Sequence, residues 1–187
     1  MFNLKKAYQT IKIGNKFNNP KIVILMGLPG SGKSYVADYL NKNLGFTVLS
    51  GENISNALFK NDQNTDYNLV YKTLRQLAKK LLKEKYSIVI DGTNLKYSFR
   101  KQIYDELCQN IKPILIYLLV DDEIALKRIN NRGEDKSNSQ NIKSSCSPET
   151  FIKFKNEIEV PKDNEDSYQI KSDSYVLHKI RKIVEDF

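Results

Sequence analysis

Gly27-Leu28-Pro29-Gly30-Ser31-Gly32-Lys33-Ser34 is the stretch of this chain best equipped for chemistry. Its glycines let the backbone curl so that successive N–H groups converge on one point. The helix-like run that follows adds the positive end of its dipole. The spacing is GxxxxGK[ST], that of a loop that cradles phosphates. Gly27, Gly30, Ser31, Gly32, Lys33 and Ser34 are therefore expected to bind a nucleoside triphosphate. Lys33 would reach the β- and γ-phosphates and Ser34 would hold Mg²⁺.

Three further clusters carry charge where such a ligand would need it. The apolar run Ser87-Ile88-Val89-Ile90 closes on Asp91, followed by Gly92-Thr93-Asn94. An acid ending a strand is a common turn former, but behind a phosphate loop it is also the carboxylate that meets the Mg²⁺ shell. Glu52, in Ser50-Gly51-Glu52-Asn53, has two readings. It is placed to accept the proton of a hydroxyl that attacks the γ-phosphate, or it complements the first turn of a helix that Ser50 caps. Arg128 and Arg132 stand at i and i+4 and share a helix face. That pair either grips an anion and stabilises the charge of phosphoryl transfer, or is a solvated basic helix end.

The elements that must position these residues alternate. Apolar runs at Lys21 to Met26, Phe46 to Leu49, Tyr86 to Asp91, Pro113 to Val120 and Tyr168 to Lys171 read as strands. Helical spacing covers Ser34 to Asn43, Asn53 to Phe59, Tyr67 to Lys85, Tyr97 to Gln109, Asp122 to Asn131, Pro148 to Glu159 and Val176 to Glu185. The alternation predicts an α/β fold, a P-loop NTPase three-layer sandwich around a parallel sheet of about five strands. Ligands of such sheets sit at the carboxyl ends of the strands. The arm Met1 to Pro20 either adds an edge strand or is loose. Gly133 to Ser147 is polar and aperiodic and reads as a mobile loop.

A length of 187 residues with 40% hydrophobic content suits one domain with one core. No apolar run approaches a membrane span, and Met1-Phe2-Asn3-Leu4-Lys5-Lys6 is no signal peptide, so no membrane partner and a cytoplasmic protein are expected. Cys108, Cys146 and the single His178 lack the spacing of a zinc site, and one histidine far from the other clusters excludes a Ser-His-Asp triad. The net charge of +8 fits a nucleic-acid partner, but a chain rich in Lys, Asn and Ile acquires that charge from composition alone. Only Arg75, Arg100, Arg128, Arg132 and Arg181 are arginine, and in a lysine-biased chain such positions suggest that a planar fork is needed.

Together these clusters resemble the P-loop kinase family that includes the kinase domain of bacteriophage polynucleotide 5′-kinase and many small bacterial kinases. The resemblance runs from about Lys21 to Lys171. Asp91-Gly92-Thr93-Asn94-Leu95 is similar to the family's Asp-x-Thr-Asn-Leu signature, with Arg100 at the expected distance beyond it. This likeness implies that Thr93, Asn94 and Arg100 serve the substrate. It also implies that Arg128 and Arg132 are paired lid arginines on the triphosphate, and Ser147-Pro148-Glu149-Thr150-Phe151 resembles the helix start after that lid. On the acceptor side Glu52 stands where the polynucleotide kinases place an aspartate base, and Ser55 where they place a phosphate-binding arginine.

The resemblance implies an arm over 1–20, a kinase domain over 21–187 and a lid around 125–147. The expected activity is ATP- and Mg²⁺-dependent transfer to a hydroxyl, with Lys33, Glu52, Arg128 and Arg132 catalytic and Ser34 and Asp91 on the metal. The preferred acceptor is a nucleic-acid 5′-hydroxyl on a single strand. The alternative is a small-molecule hydroxyl of a nucleoside, sugar or antibiotic. A nucleotide-dependent switch is a third class, and it would favour a guanine-recognition motif of the Asn-Lys-x-Asp type, which the sequence lacks.

Overall fold

The computed structural model describes residues 2–60, 65–134 and 146–187. Five strands form one sheet: β1 (Ile22–Met26), β2 (Thr47–Ser50), β3 (Ile88–Asp91), β4 (Pro113–Leu119) and β5 (Ser167–Lys171). Their order is β2-β3-β1-β4-β5, and every pairing is parallel, with Ile24 opposite Ile90 on one side and Leu115 on the other. This is the expected sandwich. Strands buried on both faces need apolar residues throughout, and Ile22 to Met26 are all fully buried.

Among the described residues eight helices accompany the sheet: α1 (Phe2–Tyr8), α2 (Lys33–Leu44), α3 (Gly51–Phe59), α4 (Tyr67–Lys83), α5 (Tyr97–Leu107), α6 (Asp122–Glu134), α7 (Pro148–Asn156) and α8 (Val176–Asp186). Alternate residues of β1 face opposite ways. Ile22, Ile24 and Met26 pack with Leu74, Leu77 and Leu81 of α4 and Ile103 of α5. Val23 and Leu25 pack with Val36 and Leu40 of α2 and with Ile180 and Val184 of α8. The α4 stripe recurs at helical spacing, and Asp66 caps its start by accepting the Leu69 N–H at 3.2 Å.

Two expectations need correction. The arm is neither loose nor a regular edge strand: Leu4, Ala7 and Ile11 fall at helical spacing, and α1 packs on α3 and α4 with Ala7 wholly buried. Beyond α1, single antiparallel bridges join Lys12 to Val48 and Lys16 to Tyr86, so the arm covers the β2 side of the sheet without forming a strand. At Gly14 the approach is so close that a side-chain carbon would lie 2.0 Å from the Gly45 carbonyl oxygen. Secondly, Gly133 and Glu134 continue α6 and do not open a loop, and Ser147 at the other end of the expected loop caps α7; the stretch between, 135–145, lies outside the described residues.

The order of strands places the site. From β1 the chain passes through α2 to the far edge at β2 and returns through β3, while β4 lies on the other flank of β1. The crevice opens at the carboxyl end of β1, where connections diverge to the two sides.

Candidate active site

Strand β1 runs into the glycine loop without interruption. Gly30 has φ 79°, and a side-chain carbon there would meet the Ala125 carbonyl oxygen at 2.6 Å, so only glycine fits both the left-handed backbone and the contact with α6. The Gly27 N–H donates to the Thr93 carbonyl at 3.1 Å, and the Asn94 Nδ2 donates to the Leu25 carbonyl at 2.7 Å. The ends of β1 and β3 are thereby stitched together. α2 begins at Lys33, so its free N–H groups point into the same crevice.

Lys33 is buried, and its Nζ donates to the Leu28 carbonyl at 2.8 Å, with the Ser31 Oγ 3.4 Å away. Asp91 is 7% exposed at the end of β3. Burial pushes its carboxyl up from the ordinary range; the charge of Lys33 and a hydrogen bond from the Ser34 hydroxyl oppose that rise. One hydroxyl and one carboxylate suit Mg²⁺, which keeps phosphates and water in its shell and needs no cage of protein ligands. Ser34 and Asp91 fit that ion.

Glu52 sits in the first turn of α3 and lines the cleft with Lys33, Ser34 and Asp91. Ser50 caps α3, accepting the Asn53 N–H at 3.3 Å. Capping by Ser50 starts α3 two residues earlier than expected, so Glu52 stands in its first turn, as the helix reading has it, and is exposed at the mouth of the cleft. Arg128 lies over the loop, its Nη1 donating to the Gly30 carbonyl at 3.0 Å and to the Ser172 Oγ at 3.3 Å. Arg132 follows one turn along α6, and the role expected of it lies outside the described side chains.

The substrate roles implied for Asn94 and Arg100 do not fit their placement. Asn94 is 1% exposed at φ 47°, with its Nδ2 donating to the Leu25 carbonyl and its Oδ1 buried without a hydrogen-bond partner. Arg100 is wholly buried: its guanidinium forks onto Glu165 and its Nη1 donates to the Asn94 and Leu95 carbonyls at 3.0 Å each. The planar fork expected of a retained arginine is used, but on an internal carboxylate that fixes the turn after β3. Thr93 does line the cleft, hydrogen-bonded to the Tyr71 hydroxyl.

Sequence reasoning missed Asn56, Tyr67, Tyr71, Thr150 and Phe154, all of which line the cleft. A signal was present. Tyr67 and Tyr71 on α4, like Thr150 and Phe154 on α7, are i,i+4 pairs that share one helix face.

Phosphate loop, strand-end carboxylate and parallel sheet define a P-loop nucleotide-binding protein of the α/β class. A family model described as an AAA domain matches residues 22–147, more than half of the chain, and the chain belongs to that family. No curated protein sequence matches it. Among solved structures it is similar to a sugar kinase from Janibacter sp. HTCC2649, at 16% identity and a TM-score of 0.64, over 89% of this chain and 95% of that one. It is also similar to Kti12 of Chaetomium thermophilum in complex with ADP-AlF3, at 18% identity and TM-score 0.65, over 88% and 97%. A third is the Mycobacterium tuberculosis APS kinase CysC in complex with AMPPNP and APS, at 17% identity and TM-score 0.57, over 89% and 96%. At such identities the likeness is one of fold. Among the described residues no helix is long and apolar enough to cross a membrane.

Proposed function

We propose that the protein is an ATP- and Mg²⁺-dependent phosphotransferase acting on a hydroxyl of a small molecule. The observation that carries this reading is the convergence of Lys33, Ser34, Asp91 and Glu52 on one cleft. When bound there, Mg²⁺ with the triphosphate supplies the electrophilic phosphorus and neutralises developing charge. The backbone of Gly27 to Gly32 and the Lys33 ammonium orient the phosphates, and Ser34 and Asp91 hold the metal side. Glu52, on the opposite lip, accepts the proton of the attacking hydroxyl. Arg128, swinging from the Gly30 carbonyl, and Arg132 one turn on, supply positive charge near the transferring group.

The small-molecule acceptor is favoured by the lining that α3, α4 and α7 give the cleft, which among the described residues offers no Lys or Arg to the phosphates of a polynucleotide. Sugar kinase and APS kinase folds of similar size act as precedents for such use of this scaffold. The test is transfer of labelled γ-phosphate to a panel of metabolites and to 5′-hydroxyl oligonucleotides. Lys33→Ala should abolish transfer while the melting temperature stays within a few degrees of wild type. Transfer to an oligonucleotide whose affinity falls with salt, with a log–log slope of about −0.7 per phosphate contacted, would replace the small-molecule acceptor by a polynucleotide one. Nucleotide binding without transfer to any acceptor would leave a nucleotide-dependent switch.

A further inference from the structure

Beyond the phosphate loop the cleft is walled by aromatic rings. Tyr67 and Tyr71 stand one turn apart on α4, and Phe154 enters from α7. Tyr71 is held from behind, its ring stacked on Phe99 with centroids 4.7 Å apart at 12°, and its hydroxyl is bonded to Thr93. On α3, Asn56 lies one turn beyond Glu52, so a carboxylate and an amide share one face of the helix and line the same cleft. The Asn56 Nδ2 is buried with no hydrogen-bond partner. A buried donor left unpaired carries a desolvation penalty that a ligand offering an acceptor atom would remove. Among the described lining residues Lys33 is the one Lys or Arg, and it belongs to the phosphate-loop end.

We infer that the acceptor is an uncharged nucleoside, a choice that rests on the phosphotransferase reading above. A planar base fits a wall of aromatic rings, whose faces stack on any base without regard to its identity. A carbonyl oxygen or ring nitrogen of the base takes the Asn56 N–H, and a ribose hydroxyl points back along α3 to Glu52. A phosphorylated acceptor would set a second anion beside that carboxylate, and like charges at such range repel. In the transfer step the ribose oxygen forms a bond to the γ-phosphorus as the bond from that phosphorus to the β,γ-bridging oxygen breaks. The hydroxyl proton passes to Glu52, and ADP departs with the electron pair.

Saturation-transfer NMR and the labelling assay together test this. Cytidine, uridine, adenosine, ribose, cytidine 3′-monophosphate and a 5′-hydroxyl oligonucleotide are each offered to the whole protein. Base protons of the free nucleosides should receive saturation, and Asn56→Ala and Phe154→Ala should each weaken binding and raise the nucleoside KM by about tenfold, the loss of one contact made in both ground and transition states. Nucleosides should be labelled in preference to ribose and to the 3′-monophosphate. Equal handling of ribose and nucleoside, or insensitivity to both variants, overturns the nucleoside assignment while leaving the phosphotransferase reading intact. Preference for the phosphorylated compounds overturns it too. Saturation of base protons that is lost in both variants, with no label transferred to any compound, keeps the nucleoside site and removes the kinase reading instead.

Discussion

Arg100 and Glu165 clasp each other with two prongs in the interior, Nε to Oε1 at 2.7 Å and Nη2 to Oε2 at 2.8 Å, and their side chains are 0% and 2% exposed. The pair ties the turn after β3 to the segment leading into β5. Tyr104 donates its hydroxyl to the same carboxylate at 2.7 Å, and the Lys162 N–H does so at 3.0 Å.

Removing one partner strands a buried charge. Arg100→Met should therefore destabilise the protein by about 3–5 kcal/mol, read as a lower urea midpoint. The double change Arg100→Met with Glu165→Leu should recover much of that loss, since an apolar pair of similar volume carries no uncompensated ion. A double variant as unstable as Arg100→Met alone would show that the cost lies in shape and not in charge.

The same cluster sets an acid limit. Burial alone would push the Glu165 carboxyl up, but hydrogen bonds from Arg100, Tyr104 and the Lys162 N–H, with the Arg100 charge, outweigh it and hold the group below the ordinary carboxylate range. The folded chain thus binds this proton more weakly than the unfolded one. The stability it confers is present in full above the unfolded value of about 4.3, and is lost as pH falls from there through the folded-state value. Unfolding free energies measured between pH 7 and 2 should drop more steeply below about pH 5 in the wild type than in the double variant.

Glu52 and Asp91 share a cleft but should divide its labour. Glu52→Gln should lower turnover by about 10² to 10⁴ with nucleotide affinity almost unchanged. Asp91→Asn should also weaken Mg²⁺-dependent nucleotide binding, measured calorimetrically. Equal effects of both changes on ATP affinity would refute the division.

At Gly30 the loop and α6 touch backbone to backbone. Gly30→Ala must move one of them, because its new carbon would lie 2.6 Å from the Ala125 carbonyl oxygen in a conformation that costs an L-residue about 1–2 kcal/mol. Triphosphate affinity should fall by at least tenfold, and hydrogen exchange should rise at the start of α6. Unchanged affinity would mean that the loop tolerates displacement.

Much of this was legible in the sequence, for identifiable reasons. The strand Ile22 to Met26 announces itself because a strand buried on both faces must be apolar at every position, and the glycine loop because so few residues tolerate its backbone. The α1 helix is hidden because seven residues make barely two turns, too few for a helical period to stand out. The fork of Arg100 is legible in its residue type but its target is not, because a short chain segment does not disclose that the carboxylate partner is Glu165, 65 residues on. The i,i+4 spacing marks Tyr67 with Tyr71 and Thr150 with Phe154 as pairs on their own helices, but not that the two pairs meet. Tyr67 and Phe154 come from separate helices, and only the fold sets them around one cleft.

The arm has a consequence in time. Its fixed points are the Gly45 carbonyl, which accepts the Asn15 N–H at 2.6 Å, the Lys12 carbonyl, which takes the Val48 N–H at 2.9 Å, and the Lys85 carbonyl, which accepts the Phe17 N–H at 2.8 Å. All three attachments need chain made after the arm, the last of them almost seventy residues later. During synthesis the arm therefore leaves the ribosome before any of its seats exists, and it docks only when β2 and the turn before β3 have emerged. Its closure over the sheet therefore waits on chain that follows it, whatever the order in which the rest of the sheet assembles.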